Sequence, residues 1–414
     1  MAADAGLLKG LKREVVRRVG DIAPALGELS LRIHANPEPG YGERQACAWL
    51  CQALEERGFE VLRAPGGLET AFCARRGAGH PVVAFLAEYD ALPEVGHGCG
   101  HNLIGAASIG AATALAGLLD RLSGTVMVIG TPAEEGAVDD AGGKAVLLER
   151  GVFAGVDAAM MFHPSTHTSV ATTTTAREAL EISFRGRAAH AAGSPAEGIN
   201  ALDAVILLFN SINALRPALR EGSSIHGVIT HGGVVPNIIP EHAAARVYVR
   251  APTHSDLAEA SRRVRDCAQG AALATGATPA IRTYARTYLS MAPNRVLAAL
   301  FSANLALLRV RAENVPRGAG STDMGNVSQV LPALHPYIAI PGLRAVPSHS
   351  RPFADAAGSA RGLRTMLLAA RLLALTGADL LGDPDLVAQA WAAHANPRAI
   401  AKKDSMEGIR VRTS

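Results

Sequence analysis

Short apolar runs alternate with helical stretches along residues 1–176. Residues 5–34 and 43–59 have the spacing of amphipathic helices, and the runs PVVAFLAEYD, GTVMVIGT and VDAAMMFHP have the length of buried strands. Strands and helices in alternation predict a mostly parallel sheet that is flanked by helices. We therefore expect the chain to begin with an α/β domain.

The pattern changes between residues 177 and 289. EALEISFRGRAAH alternates like a half-buried strand, and a long helical run, two more strand patterns, a second helical run and the strand TPAIRTYARTY follow it. The order β-α-β-β-α-β is that of the ferredoxin-like unit. We predict an inserted α+β domain at 177–289, inside a first domain that comprises 1–176 and 290–414 and ends in a polar tail.

Composition and charge exclude several classes of protein. The 414 residues are 49% hydrophobic, which is enough for two packed cores. The formal net charge is only +3 and the basic residues are scattered, so we expect no nucleic-acid partner. Five cysteines, an odd number without zinc-ribbon spacing, predict reduced thiols and a cytoplasmic location. We expect neither a signal peptide nor a membrane partner, and interpret IGAASIGAATALAGLL as a buried helix.

Three of the apolar runs end directly in side chains that can bind metal. In chain order these are Glu88 and Asp90 after the first run, leading into His97, Cys99 and His101; Glu134 and Glu135 after the second; and His163 after the third. In an open parallel sheet, ligands bind beyond the carboxyl ends of the strands. We therefore expect these groups to converge on one edge of the sheet.

Each of these residues also has an ordinary structural explanation. Cys99 could be a small buried residue, and His101 a core histidine or a helix cap. Glu134 and Glu135 could lie in a solvated loop, and His163 could simply end a strand. Taken together, however, a thiol, imidazoles and carboxylates at strand ends predict a metal site. Such a mixture suits Zn²⁺ best and also admits Mn²⁺ or Co²⁺.

The number and order of the ligand groups indicate more than one cation. Five or six ligands exceed one tetrahedral site, so we predict two divalent metal ions, which a thiolate such as that of Cys99 can bridge. Of two consecutive glutamates, one can bind metal while the other removes a proton from the attacking water. The glycines at 96, 98 and 100 would allow the tight turn that this arrangement needs.

Seven motifs occur in the order expected of the M20 metallopeptidases: AEYDALPEVGHGCGHNLIG, TPAEEG, FHP, GRAAHAAGSPAEGINALDA, GGVVPNIIPE, GSTDMGNVS and SHSRPF. The chain resembles the D subfamily of amidohydrolases, and especially the aminoacylase-1-like-2 branch, which includes dipeptidases acting on β-alanyl-lysine-type substrates. The likeness covers about residues 30–375. It implies a zinc-exopeptidase-like catalytic domain with an inserted lid or dimerisation domain, a small-molecule substrate and a homodimer.

The resemblance also implies a set of metal ligands and the groups that act beside them. The ligands are Cys99, His101, Glu135, His163 and His349. Glu134 matches the general base. Asp90 matches the aspartate that orients a ligand histidine in other branches of the family, and Glu88 stands where those branches carry that histidine.

Three further residues, all in the inserted domain, match positions that meet the substrate. His190 matches the histidine that reaches the partner's active site in family dimers and steadies the oxyanion. Asn237 matches a substrate-binding asparagine. Arg250 is a candidate for gripping a substrate carboxylate, since arginine can hold one with two hydrogen bonds; the alternative is an ordinary arginine on a surface strand.

The resulting hypothesis is a metal-dependent amidohydrolase or dipeptidase that cleaves the amide bond of a dipeptide or an N-acyl amino acid. One alternative is a hydrolase with Cys99 as nucleophile, which would leave Glu135, His163 and the other predicted ligands without a role. Another is a non-catalytic carboxylate-binding protein with the same fold. The presence of Glu134 argues against that alternative, because loss of the base is the simplest route to an inactive protein.

Overall fold

The computed structural model describes residues 5–136, 138–315 and 320–395, and the predicted polar tail lies largely outside them. The chain divides into two compact units. Unit 1 comprises Met1–Thr173, Ala292–Gly318 and Asn326–Ser414, and unit 2 comprises Thr174–Met291 and Ala319–Gly325. The prediction placed all of 290–414 in the first domain. Residues 319–325 group with unit 2 instead, where Thr175 bonds the carbonyl of Gly320 and the hydroxyl of Ser321.

The structure contains the predicted helices and strands in their order, together with elements that the sequence patterns did not predict, among them strands at 60–63 and 72–78. The helices are α1 (Ala5–Asp21), α2 (Ala23–Ala35), α3 (Arg44–Glu55), α4 (His101–Ala116), α5 (Gly143–Glu149), α6 (Ala201–Leu215), α7 (His254–Thr275), α8 (Arg295–Leu307), α9 (Met324–Val330), α10 (Arg351–Ala357), α11 (Ala360–Gly382) and α12 (Pro384–Ala395). The strands are β1 (Glu60–Arg63), β2 (Phe72–Ala78), β3 (Val82–Ala87), β4 (Gly124–Gly130), β5 (Ala158–Met160), β6 (His163–Ser165), β7 (Ala176–Arg185), β8 (Ser224–His231), β9 (His242–Ala251), β10 (Thr278–Tyr288), β11 (Ala333–Leu334) and β12 (Tyr337–Ala339).

Unit 1 is built around a mixed, mostly parallel sheet with the strand order β1-β2-β4-β3-β5-β11. The pairs β3–β4, β3–β5 and β5–β11 are parallel, whereas β2 joins β1 and β4 antiparallel. Every residue of β3 is buried, as expected for a central strand that is covered on both faces. The predicted fold class is therefore confirmed for this unit.

The glycine-rich helix α4 is the buried centre of unit 1. Its contacts run to α2, α11 and β3, and nearly every residue from His101 to Ala116 is buried. Gly110 allows this close packing, because a Cβ there would lie 2.6 Å from a methyl carbon of Leu26. Among the described residues, α11 has the length and apolar composition to cross a membrane, but 83% of its most apolar window is buried inside the protein. A buried core helix explains that composition.

Unit 2 has the predicted β-α-β-β-α-β order, formed by β7, α6, β8, β9, α7 and β10. Its sheet has the order β10-β7-β9-β8, and all three pairings are antiparallel. The apolar sides of α6 and α7 pack with the alternate residues of β7 and β9 to form its core. The outermost strand β8 is largely exposed.

Two local predictions differ from the structure. The helix predicted over 43–59 ends at Glu55, and Gly58 follows in a turn with a φ of 75°. The run VDAAMMFHP is two strands rather than one: β5 belongs to the main sheet, whereas β6, which begins at His163, pairs with β12 in a separate ribbon. Periodicity does not reveal this break, because each strand is only three residues long.

Candidate metal centre and active site

Three loops leave the same edge of the sheet in unit 1. The parallel strands β3 and β4 end side by side, with Ala87 opposite Gly130, and the N–H of Thr131 bonds the carbonyl of Ala87 at 2.8 Å. The segment after β5 leaves at the same edge, because β5 is parallel to β3. The loops that carry the predicted ligands therefore begin next to one another.

The loop after β3 depends on glycine at three positions. Gly96 and Gly100 have φ values of 75° and 76°, which favour glycine over any other residue. A Cβ on Gly100 would also lie 2.6 Å from Pro164, and one on Gly98 would lie 2.7 Å from Val95. These glycines let the backbone turn directly into α4.

A first cluster joins Cys99, His101 and His163, whose ligand atoms all lie within 4.8 Å of one another. The Sγ of Cys99 is 3.4 Å from the Nε2 of His163. His163 donates from Nδ1 to the carbonyl of Pro164 at 2.7 Å, and His101 donates from Nδ1 to Asp90 at 2.8 Å. Both hydrogen bonds place a proton on Nδ1, so the lone pair of each Nε2 faces the cluster. This arrangement is typical of metal-binding histidines.

A second cluster joins Cys99, Glu135 and His349. The Nε2 of His349 lies 3.4 Å from the Sγ of Cys99 and 3.4 Å from a carboxylate oxygen of Glu135. His349 has a φ of 62°, and its backbone N–H bonds the carbonyl of Gly98 at 2.9 Å. A histidine in this conformation is uncommon, and such backbone strain concentrates at functional sites. The two clusters share Cys99.

The residues present fit two divalent cations. Three buried atoms at this place have no hydrogen-bond partner among the described residues: Nε2 of His101, Oε1 of Glu135 and Oε2 of Glu88. A buried polar atom without a hydrogen-bond partner lowers the stability of the fold by about 1–3 kcal/mol. Three such atoms at one place therefore indicate a bound ligand. Sulfur, imidazole and carboxylate donors at these separations are the set that Zn²⁺ binds.

The pKa shifts of Cys99, Glu135 and His163 are consistent with a site that binds a cation. Burial, together with the carboxylate of Glu135, raises the pKa of Cys99 well above its usual value. Burial raises the pKa of Glu135 to about 7, although His101 opposes this. Burial and the nearby His101 lower the pKa of His163 to about 4, so that its ring is neutral at physiological pH. A cation would stabilise the thiolate and the carboxylate and would use the neutral lone pair.

Asp90 connects His101 with Glu135, two of the predicted ligands. One of its oxygens accepts from His101, and the other accepts from the backbone N–H of Glu135 at 3.0 Å. Burial alone would lower the pKa of His101, but the carboxylates of Asp90 and Glu88 outweigh burial and raise it well above its usual value. Asp90 is thus placed to orient a ligand histidine, the role that its position in the motif implies.

The turn that carries Glu134 has a strained backbone at Ala133 and is held by a hydrogen bond to Glu43. Ala133 has a φ of 56°, and its N–H donates to the buried carboxylate of Glu43 at 2.8 Å. Burial and the charge of Asp90 raise the pKa of Glu43 to about 8. Glu134 is buried, and its carboxylate lies within 4.8 Å of that of Glu88.

In unit 2 the structure brings His190 and Asn237 together. The N–H of Ala191 bonds the carbonyl of Asn237 at 3.0 Å, and both side chains are exposed. The ring of His190 accepts at Nδ1 from the backbone N–H groups of Ala192 and Gly193, at 3.2 and 3.0 Å. Its Nε2 therefore carries the proton and can donate it in a hydrogen bond.

Arg250 does not lie beside these two residues. It pairs with Arg177 at one end of β7, whereas His190 follows the other end, about 26 Å away along the strand. Arg250 donates to the hydroxyl of Ser321 at 2.9 Å, and its guanidinium lies 5.8 Å from the ring of Tyr248. A substrate-binding role for Arg250 stays a prediction.

Two buried residues at the site received no role from the sequence. Lys144 is fully buried at the start of α5 and forms an ion pair with Glu88. His335 is buried with its ring centroid 5.7 Å from that of His163, and neither of its ring nitrogens has a hydrogen-bond partner among the described residues. The signal for Lys144 was present in GGKAVLL, where a lysine interrupts an apolar helix directly after the Glu134–Glu135 turn.

Comparison with known proteins now identifies the family. The sequence profile of Peptidase family M20/M25/M40 matches residues 84–371, a range that contains both ligand clusters and the whole of unit 2. The chain belongs to this family. The protein is therefore an enzyme, a metal-dependent hydrolase of peptide or amide bonds.

Individual relatives extend the match over most of the chain. The Xaa-Arg dipeptidase of Mus musculus is 38% identical over 403 residues, which cover 93% of this chain and 92% of that protein. A p-aminobenzoyl-glutamate hydrolase polypeptide of Escherichia coli (strain K12) is 37% identical over 69% of this chain and 63% of its own length. A Bacillus subtilis structure described as a dinuclear metal binding peptidase of family M20 has the same fold, with a TM-score of 0.60 and 22% identity over 86% of this chain and 98% of that one.

Proposed function

We propose that this enzyme is a dinuclear dipeptidase that cleaves the peptide bond before a basic C-terminal residue, in substrates of the Xaa-Arg or Xaa-Lys type. The observation that carries the dinuclear proposal is that Cys99 belongs to two separate ligand clusters. The name of the mouse relative supports the substrate class, since the identity extends over nearly the whole of both chains. Zn²⁺ is the proposed metal, and Mn²⁺ or Co²⁺ are alternatives.

The proposed ligands divide between the two clusters. His101 and His163 would hold one cation, Glu135 and His349 would hold the other, and Cys99 belongs to both ligand sets. When bound, the two cations lower the pKa of a water molecule and polarise the scissile carbonyl. Asp90 keeps the His101 ring in the orientation that this binding needs.

Glu134 is the proposed general base. Its carboxylate accepts a proton from the attacking water and then passes it to the leaving amine. His190 donates from Nε2 to the oxyanion that develops on the substrate, which is the hydrogen bond that its fixed tautomer allows. Asn237, exposed beside His190, is proposed to bind the substrate.

The proposed assembly is a homodimer in the cytoplasm. The edge strand β8 supports a dimer, because Val228 and Ile229 are 62% and 49% exposed and its backbone edge can pair with another strand. If His190 acts in the partner's active site, a His190→Ala chain mixed with a Glu134→Gln chain should regain part of the wild-type activity. Mixed dimers that remain as inactive as either parent would exclude action in trans.

The experiment that tests the function uses purified protein loaded in turn with Zn²⁺, Mn²⁺ and Co²⁺. It is offered Xaa-Arg and β-alanyl-lysine dipeptides, p-aminobenzoyl-glutamate and N-acetyl amino acids, and the released amine is quantified. We expect hydrolysis of the basic dipeptides, complete loss on chelation, and recovery on adding metal back. Hydrolysis of p-aminobenzoyl-glutamate alone would overturn the substrate class. Activity that survives exhaustive chelation would favour Cys99 as a nucleophile instead.

A further inference from the structure

Lys144 and Glu88 form an ion pair within the protein interior. The Nζ of Lys144 contacts Oε1 of Glu88, and their side chains are 0% and 1% exposed. Lys144 stands on α5, directly after the turn that carries the two glutamates, and Glu88 is the first residue after β3. Charges are rarely removed from water to this extent unless they are paired or serve a function.

Only one oxygen of Glu88 is used by the lysine. The other, Oε2, is buried without a hydrogen-bond partner and lies 3.4 Å from Nε2 of His101, which also has none. Two ligand atoms that bind one cation tetrahedrally at about 2.0–2.1 Å lie about 3.3–3.4 Å apart. The spacing of this atom pair is therefore that of two ligands of a shared cation.

We propose that Oε2 of Glu88 is a further ligand of the cation held by His101, and that Lys144 is the positioning residue that aims it. This inference rests on the proposed dinuclear site. Lys144 fixes the carboxylate by holding Oε1, so that Oε2 faces the histidine. Glu88 would then add an oxygen donor beside His101, whose own cluster with Cys99 and His163 offers one sulfur and two nitrogens.

The charge of Lys144 also fits the composition of the site. The carboxylates of Asp90, Glu134 and Glu135 belong to the same part of unit 1 as that of Glu88. Without Lys144, the carboxylate of Glu88 would repel that of Glu134, which lies within 4.8 Å.

If the ion pair of Lys144 and Glu88 had only a structural role, a different result would be expected. Removing both charges of such a pair changes stability but leaves metal affinity as it was. The chain contains a matched control in the pair of Lys12 and Asp379, which joins α1 to α11 at 2.6 Å with side chains 18% and 6% exposed. Neither of these residues belongs to the two ligand clusters.

The test compares the Glu88→Gln/Lys144→Met and Lys12→Met/Asp379→Asn double variants with the wild type. Cation stoichiometry and affinity are measured by competition with a chromogenic chelator, and Co²⁺-loaded protein is examined by visible absorption. We expect the site variant to bind one of the two cations ten- to a hundredfold more weakly and to alter the Co²⁺ spectrum. The control variant should match the wild type in both measurements.

A single variant covers the case in which the site double variant does not fold. Glu88→Asp keeps the charge opposite Lys144 but shortens the reach to His101, so it should also weaken one cation tenfold or more. A folded site variant, double or single, that binds both cations with wild-type affinity would overturn the inference and leave the proposed function standing. A wild-type protein that binds no cation would overturn both.

Discussion

The charged side chains near the strand ends of unit 1 differ in burial from a charged cluster on the sheet of unit 2. At the strand ends of unit 1, the side chains of Glu88, His101 and Lys144 are at most 1% exposed. On the sheet of unit 2, Glu181 pairs with Arg246 and Arg282 while its side chain stays 24% exposed and theirs 31% and 51%. One region buries its charges, and the other leaves them in contact with water.

The difference in burial indicates what each set of charges contributes to the protein. Solvated ion pairs such as those of Glu181 contribute about 0–1 kcal/mol to the free energy of unfolding. Buried charges incur a desolvation cost that apolar residues of similar size would avoid. Their concentration at one edge of the sheet in unit 1 is therefore explained by chemistry rather than by stability.

The histidines of the two units differ in the same way. His101 is fully buried, and its Nδ1 is committed to Asp90, so only Nε2 is available for a ligand. His190 is exposed, and backbone N–H groups occupy its Nδ1, so that Nε2 carries a proton. The same side chain is prepared to bind a cation in one unit and to donate a hydrogen bond in the other.

The largest expected effect is on catalysis in the buried cluster. Glu134→Gln should lower kcat by up to about 10⁴-fold, because the amide cannot accept the proton of the attacking water. Metal content, measured on the same preparation, should stay at the wild-type level. Glu69→Gln is the control, since Glu69 forms an exposed pair with Arg44. A Glu134→Gln enzyme with near-normal kcat would remove Glu134 from the role of base.

The next effect contrasts the stability of the two regions. Lys144→Met should lower the free energy of unfolding of the metal-free protein by about 3–5 kcal/mol, because it removes the ammonium group that pairs with the buried carboxylate of Glu88. Glu181→Gln in unit 2 should cost about 1 kcal/mol or less, since solvent already screens its pairs. Chemical denaturation of both variants measures this. Equal losses would show that burial does not distinguish the two regions.

His190→Ala tests the role of the exposed histidine of unit 2. We expect kcat to fall by about 10²–10³-fold through loss of a hydrogen bond to the oxyanion. The free energy of unfolding should stay within about 0.5 kcal/mol of the wild type, because the side chain is exposed. Steady-state kinetics and denaturation are measured on the same protein. Lost stability with an unchanged kcat would assign His190 a structural role.

The last prediction concerns the pH dependence of stability. The pKa of Glu43 is raised from 4.5 to about 8 by burial and by Asp90, so the folded protein holds this proton more tightly than the unfolded chain does. Stability from this group is complete below pH 4.5 and is lost as the pH rises towards 8, with a slope of at most about 1.4 kcal/mol per pH unit. Glu43→Gln mimics the neutral form and should flatten that slope in denaturation measured from about pH 5 to 8. An unchanged slope would contradict the raised pKa.

Much of this architecture could be predicted because local patterns carry it. The alternation of apolar runs and helices predicts the parallel strands β3, β4 and β5, and the order of elements predicts the ferredoxin-like unit. The carboxyl ends of parallel strands share an edge, so residues that follow such strands, as Glu135 and His163 do, are expected to meet. Where strands are as short as β5 and β6, with three residues each, the pattern does not reveal which sheet each one joins.

The sequence by itself determined which residue types stand at the strand ends and which glycines permit the turn between them, because these properties depend on near neighbours in the chain. Only the tertiary structure decided that Cys99 meets both His163 and His349, the second of them 250 residues away. It alone paired Lys144 with Glu88 across 56 residues. Such contacts follow from how helices and strands pack, and packing distances are not written in the local pattern.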